Sequence, residues 1–104
     1  MRGKAKRWPD ELQLIRQLGL ADSEMGAQNF VFSAKEAIFK CQYPVTLSRS
    51  LNFLDVRLVK AGGPRTLMPQ ALVKEGHLRS VLEGIRVFHF DIQCVSVIYA
   101  LLPP

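Results

Sequence analysis

The first regular pattern along the chain is a short amphipathic stretch near its start. Leu12, Ile15 and Leu18 recur every three residues, so they form one apolar side of a helix. Pro9 precedes them at a position where a missing N–H does no harm, and two acidic residues follow it. Gly19 can end the helix. We therefore predict a helix from Pro9 up to Gly19.

A second stretch has the spacing of a helix that is apolar on two sides. Placed at about 100° per residue, aromatic residues share one stripe and small or aliphatic residues share the opposite one. The stripes are Phe32, Phe39 and Tyr43 on one side and Ala34, Ala37, Ile38 and Cys41 on the other. A helix of this kind is packed inside a protein. We predict a helix over Phe32–Tyr43, ended by Pro44, and a polar loop over Leu20–Asn29 before it.

The second half of the chain has the pattern of β-structure. Asp55–Lys60 alternates with period two, and Ala61–Pro64 is a turn sequence. Further strand candidates are separated by proline, glycine or polar residues: Met68–Val73, Leu78–Leu82, Ile85–Phe90 and Cys94–Leu102. Helices followed by consecutive hairpin-like strands predict an α+β fold with two N-terminal helices packed on an antiparallel sheet.

The composition is that of one globular domain with a basic start. The chain has 104 residues, of which 48% are hydrophobic and 22% are charged, and these values exclude a disordered protein. We divide it into a basic tail, residues 1–7, and a single domain, residues 8–104. The net charge of +5 suits a phosphate-bearing ligand, an acidic protein or nucleic acid, and by itself selects none of them.

The cysteines and the apolar segments bear on the location of the protein. Cys41 and Cys94 lie far apart without metal-ligand spacing, so neither a zinc site nor a disulfide framework is predicted. Reduced thiols are typical of the cytoplasm. The basic start is not followed by the apolar segment of a signal peptide. The longest apolar run, residues 94–102, is far shorter than the ~20 residues of a membrane helix. We expect a cytoplasmic protein with no membrane partner.

One chemical cluster stands out, formed by Lys35, Glu36 and Lys40 within about two turns of the predicted helix. A carboxylate beside a buried aromatic stripe needs a metal ion, a cation or backbone donors as its partner. A structural alternative exists, because Ser33 and Glu36 have the spacing of a capping box. Glu36 and Lys40 also have the spacing of an ordinary i,i+4 pair. On these residues alone the structural interpretation is favoured.

The segment Phe32–Pro44, FSAKEAIFKCQYP, closely resembles the signature of the 4'-phosphopantetheinyl transferases. The likeness is strongest to the branch that includes the enterobactin and surfactin synthetase activators. Further segments resemble the neighbouring parts of that family: Trp8–Leu12, Val45–Thr46, Leu51–Val56 and Val95–Ala100. The resemblance covers most of residues 8–102, and its specific part is the central thirteen residues.

The resemblance implies a reaction and assigns roles to the cluster. The reaction would transfer the phosphopantetheine arm of coenzyme A to a serine of an acyl- or peptidyl-carrier protein, with Mg²⁺ on the pyrophosphate. Such a phosphoryl transfer needs charge neutralisation and an aligned nucleophile. Glu36 would be a metal ligand and would help to take the proton from the carrier serine. Lys35 would contact a coenzyme A phosphate, and Lys40 would reach the pyrophosphate and steady the leaving group.

The resemblance also implies that a lone chain is incomplete. Surfactin-type members are pseudo-dimers of two similar halves with the substrate between them, and this chain corresponds to slightly less than the second half. The family's other metal ligands come from a Gly-x-Asp-x-Glu strand, which this sequence does not contain. We therefore expect the lone chain to be an inefficient enzyme, which a missing N-terminal half or self-association would complete.

Two other functions remain open at this point. The first is a small basic module that binds nucleic acid or an acidic protein, although no interleaved run of basic and aromatic residues marks a nucleic-acid surface. The second is a non-catalytic fragment that only binds carrier protein. His77 and His89 are assigned no function.

Overall fold

The computed structural model describes residues 9–48, 51–93 and 95–103. The predicted basic tail, Trp8 and Cys94 lie outside these residues. Within them the chain forms three α-helices, four strands and a short 3-10 helix. In chain order these are α1 (Pro9–Gln17), α2 (Glu24–Thr46), the 3-10 helix (Phe53–Asp55), β1 (Val56–Lys60), β2 (Thr66–Ala71), α3 (Gly76–Gly84), β3 (Arg86–Ile92) and β4 (Val95–Leu101).

The four strands form one antiparallel sheet in the order β1-β2-β3-β4. Alternate strand residues point to one face, where their apolar side chains form a single core with those of the three helices. The buried strand residues of that core are Val56, Leu58, Leu67, Ala71 and Val87. The predicted α+β class and antiparallel sheet are confirmed. Among the described helices, none is long and apolar enough to cross a membrane.

The first predicted helix is confirmed. α1 ends at Gln17, and Gly19 then adopts a φ of +73°, a conformation that glycine takes without steric cost. The N–H of Leu20 donates to the carbonyl oxygen of Ile15 at 3.0 Å, which closes the end of the helix. Ile15 is completely buried, so α1 is anchored to the core by the predicted apolar side.

The polar loop predicted over Leu20–Asn29 is wrong for most of its length, because α2 begins at Glu24. The side-chain oxygen of Ser23 accepts a hydrogen bond from the N–H of Gly26 at 3.0 Å and caps the helix. Ala27 and Phe30 are buried and extend the core-facing side of α2 towards its start. The polar residues of these first turns belong to the exposed side of α2. Their polarity is that of a helix surface and not of a loop.

Pro44 does not end α2, which continues to Thr46. A proline so close to the end removes only one hydrogen bond from the last turn. The buried amide of Gln42 stabilises this turn, because its Nε2 donates to the carbonyl oxygens of Phe39 and Ser48, each at 3.2 Å. The cost of the proline is therefore confined to the last turn.

The strand predicted over Leu78–Leu82 is also wrong, because these residues belong to α3. The carboxylate of Glu75 accepts hydrogen bonds from the N–H groups of Leu78 at 2.6 Å and His77 at 3.1 Å, and so caps the helix. Leu78 and Leu82 are four positions apart and therefore lie on the same side, which is buried. The other predicted strands are present with boundaries shifted by a few residues.

Candidate functional site

α2 carries the three predicted site residues and places them in different environments. Lys40 is exposed, Glu36 is half-buried and Lys35 is completely buried. The structure therefore separates Lys35 from the other two, although the three lie within six positions of the sequence.

Glu36 and Lys40 line one open groove between α2 and β4, with a volume of about 590 Å³. Its walls are formed by Phe32, Ser33, Glu36, Ala37, Lys40, Cys41, Ile98, Tyr99 and Ala100. Among these described residues Glu36 is the only acid and Lys40 the only base. The groove thus combines an apolar wall on β4 with two opposite charges that are one helical turn, about 6 Å, apart along α2.

Both structural alternatives for Glu36 fail. Ser33 lies inside α2, ten positions after its capping residue Ser23, so Ser33 and Glu36 form no capping box. Glu36 and Lys40 do not form an ion pair with each other, and within the described ranges neither pairs with another side chain. Both charged groups are therefore available to a ligand in the groove.

Glu36 can supply one oxygen to a metal ion. Mg²⁺ usually keeps several waters and takes one or two carboxylates together with phosphate oxygens. In residues 9–48, 51–93 and 95–103, no three histidine, cysteine or acidic side chains converge as a potential metal site. A Mg²⁺ ion bound to Glu36 would therefore need its remaining ligands from a bound phosphate, from water or from another polypeptide.

Lys35 points away from the groove and into the core. Its Nζ lies 3.1 Å from Glu11 Oε1 and donates to the carbonyl oxygen of Phe53 at 2.7 Å. The Phe53 ring centroid is 5.7 Å from the same ammonium group. Burial lowers the pKa of Lys35, and the nearby Glu11 carboxylate opposes this shift. With 0% of its side chain exposed, Lys35 has no surface free for a coenzyme A phosphate in this structure.

Glu11 is the residue that the sequence analysis missed. Its Oε2 accepts a hydrogen bond from the backbone N–H of Leu58 at 2.6 Å, while Oε1 binds Lys35. One carboxylate thus links α1, α2 and β1. The available signal was spacing, because Glu11 lies four positions before the buried Ile15 and therefore on the same side of α1.

The aromatic stripe of α2 packs on the 3-10 helix. The Phe53 ring lies 5.3 Å from Phe32 and 5.6 Å from Phe39, measured between centroids. These edge and tilted contacts are the favourable arrangements for aromatic pairs. Phe53 thereby joins the aromatic stripe of α2 to the segment that leads into β1, and its ring lies beside the Lys35 ammonium group.

The buried imidazole of His89 lies between two polar side chains, Arg65 and Ser96, which are themselves exposed. Its Nδ1 lies 2.7 Å from Arg65 Nη2, and its Nε2 lies 2.7 Å from Ser96 Oγ. Because arginine can only donate, the neutral imidazole carries its proton on Nε2 and donates it to Ser96. This tautomer cannot take a proton from the Ser96 hydroxyl, so the pair is not an activated serine nucleophile.

A comparison with models of known protein families, with curated proteins and with solved structures found no match. The features of the chain that bear on its function are therefore the groove that Glu36 and Lys40 share and the sequence of residues 32–44.

Proposed function

We propose that the chain supplies the Glu36–Lys40 groove for a Mg²⁺-dependent transfer of 4'-phosphopantetheine from coenzyme A to a serine of a carrier protein. One observation carries the proposal. Glu36 and Lys40 of the KEAIFK segment are the two charged residues that line the groove in the described structure, and neither is paired with another described side chain.

The two charges suit different parts of the same ligand. Lys40 places an ammonium group where it can neutralise a phosphate or pyrophosphate oxygen. Glu36 can hold Mg²⁺, which when bound would neutralise charge on the pyrophosphate. Its carboxylate can alternatively accept a proton from the attacking serine. The apolar wall formed by Ile98, Tyr99 and Ala100 suits the uncharged pantetheine arm.

Lys35 has a positioning role in this proposal. Its ammonium group ties α2 to Glu11 and to the carbonyl oxygen of Phe53. These bonds fix the rotation of the helix from the side opposite the groove, so that Glu36 and Lys40 face outwards together. Lys35 would thus hold Glu36 and Lys40 in position, instead of contacting coenzyme A as the resemblance implies.

A groove with one carboxylate and one open side needs further metal ligands and a second wall. We propose that a second polypeptide, either a complementary half or another copy, adds metal ligands and closes the substrate cleft. The lone chain then binds coenzyme A weakly and transfers its arm slowly. The carrier protein would approach the open side, where its serine can reach the pyrophosphate.

The test uses the full chain with apo carrier protein, coenzyme A and Mg²⁺, and measures conversion to holo carrier protein by intact mass. It is repeated with a complementary transferase half. Glu36→Gln and Lys40→Ala should each lower the rate by at least about a hundredfold, a typical loss for a group that stabilises transferred charge. Lys60→Ala, an exposed lysine on β1, is the matched control and should retain the rate.

Binding measurements separate this proposal from a non-catalytic carrier-binding fragment. Calorimetry should detect Mg²⁺-dependent binding of coenzyme A that Glu36→Gln abolishes. If carrier protein binds equally to the wild type and to Glu36→Gln, while coenzyme A does not bind, the transferase proposal is refuted.

A further inference from the structure

The outer edge of β4 has no partner strand within the described residues. The seven residues of β4, VSVIYAL, contain no charge and no proline. Edge strands that remain free usually carry a charge, a proline or a bulge that prevents pairing with another chain. β4 therefore has the composition of a strand that pairs on both sides.

The opposite edge of the sheet, formed by β1, is protected against pairing with another strand. β1 carries Arg57 and Lys60, and α1 packs against it. The N–H of Leu58 donates to the carboxylate of Glu11, so a hydrogen-bonding group of this edge is already used. The features that keep an edge free are thus present on β1 and absent from β4.

Two adjoining grooves lie between α2 and β4, on the side of the free edge. A second groove of about 320 Å³ near the start of α2 shares Ser33 and Ile98 with the groove of Glu36 and Lys40. α2 and β4 run in the same direction along these grooves. Every fourth residue of α2 lies near every second residue of β4 and the segment after it: Asn29, Ser33, Ala37 and Cys41 on the helix, and Ser96, Ile98, Ala100 and Leu102 on the other side. The steps match, at about 6 Å on the helix and 6.6–6.8 Å on the strand.

We propose that this edge and the wall of α2 bind an extended segment of another polypeptide, which adds a fifth strand to the sheet. Its backbone would pair with β4, as in other cases of strand addition. The proposal rests on the fold and does not depend on the transferase reaction. The two kinds of binding would compete, because a segment that pairs with Glu36 would close the groove to coenzyme A.

The side chains along the groove specify the segment. On the outer face of the sheet it would lie beside the apolar and mostly exposed residues Val95, Val97, Tyr99 and Leu101, so alternate residues are apolar. Towards α2 it would meet Glu36 and Lys40. A strand antiparallel to β4 passes Lys40 first, because α2 and β4 run in the same direction. The segment therefore has an acid followed two positions later by a base.

A second copy of this chain does not fit as the occupant. α2 packs mainly over β4. Two copies paired through β4 would place their edge strands about 4.8 Å apart, and helices that lie directly above β4 would then be at a similar separation. Packed helices need about 8–10 Å between their axes. The groove accordingly accepts a strand with no helix above it, as an extended segment provides.

The test measures binding of labelled nine-residue synthetic peptides to the full chain by fluorescence anisotropy. The first peptide alternates valine with threonine and carries aspartate and lysine, in that order, at two successive threonine positions. Exchanging the two charged residues should weaken binding by about two- to fivefold. Methylation of the backbone nitrogens that pair with β4 should weaken it by more than about tenfold, because several hydrogen bonds are lost.

Two matched variants locate the site. Ser33→Trp fills the point that both grooves share and should abolish binding. Met25→Trp changes another exposed position of α2 that lines neither groove, and should leave binding unchanged. Lys40→Glu should reverse the preference between the two charge orders. Hydrogen exchange should slow at the amides of β4 when the first peptide is bound, but not at those of β1.

Four results would each overturn the proposal. They are the absence of saturable binding, equal binding of the methylated peptide, binding that survives Ser33→Trp, and slower exchange on β1 instead of β4. A peptide-free dimer with protected β4 amides would also overturn it, because the occupant would then be a second copy.

Discussion

Lys35 and Glu11 form a buried ion pair that depends on its surroundings. Removing one partner of such a pair leaves an uncompensated charge in the core, whereas removing both costs much less. We predict that Lys35→Met lowers the free energy of unfolding by about 3–5 kcal/mol. Glu11→Gln combined with Lys35→Met should recover part of the loss, because the amide oxygen can still accept from Leu58. Urea denaturation of the wild type and both variants measures this, and equal losses in the two variants would contradict it.

His89 gives the stability of the fold a pH dependence. Burial and the Arg65 guanidinium lower the pKa of His89, and the Asp91 carboxylate opposes the shift. Phe30 and Ser96 also face the ring and carry no charge. The unfolded state therefore binds a proton at a higher pH than the folded state does.

We predict that the free energy of unfolding falls as the pH decreases below about 6.5, with a slope of at most about 1.4 kcal/mol per pH unit from this group. Unfolding in urea at a series of pH values measures the slope. His89→Gln should remove this contribution, and His77→Gln, at an exposed histidine, is the matched control. A slope that persists in His89→Gln but disappears in His77→Gln would contradict the assignment of the pH dependence to His89.

At the scale of elements, α2 owes its length to a cap that lies before the predicted helix. Ser23→Ala removes the side-chain acceptor of the Gly26 N–H and should cost about 0.5–2 kcal/mol. Ser33→Ala is the control at the position that the capping-box interpretation favoured, and it should change the stability little. Thermal unfolding compares the two. A larger loss in Ser33→Ala would restore the capping-box interpretation of Glu36.

The sequence predicted elements well where one periodicity was undisturbed. α1 followed from apolar spacing and the flanking proline and glycine, and the four strands followed from apolar segments separated by turn residues. α3 was missed although Leu78, Val81 and Leu82 have the i, i+3, i+4 spacing of a helix, because three apolar residues in five positions are too few to establish a period. The start of α2 was missed because its polar residues occupy the exposed side of two turns.

The candidate site was predictable only in part. The spacing of Glu36 and Lys40 predicted that they lie close together on one helix, and the structure places both in the same groove. The burial of Lys35 depends on Glu11, 24 positions earlier, and on the carbonyl oxygen of Phe53, 18 positions later. Such long-range contacts are set by tertiary packing and leave no local pattern in the sequence.

At the scale of the whole molecule, the helices within residues 9–48 and 51–93 all pack on one face of the sheet. Its other face, along β3 and β4, carries Phe90, Ile92, Tyr99 and Leu101, each between 37% and 54% exposed. Contiguous apolar patches of this kind mark interaction surfaces. A small domain with so much uncovered apolar surface has a limited core.

Binding of the extended segment should therefore raise the stability of the whole chain. At a peptide concentration a hundred times its Kd, mass action adds about 2.7 kcal/mol to the free energy of unfolding. Thermal unfolding with the first synthetic peptide should show a higher Tm that rises further with peptide concentration. The backbone-methylated peptide is the control, and an equal shift with it would indicate association through side chains alone.

The bridge made by Glu11 has a consequence for how the chain tolerates cleavage. A protease cut between α1 and α2, followed by loss of the shorter piece, would strand an ammonium group among apolar side chains and uncap an amide of β1. Residues 9–17 thus hold the side of α2 that faces away from the Glu36–Lys40 groove, and none of these described residues lines that groove.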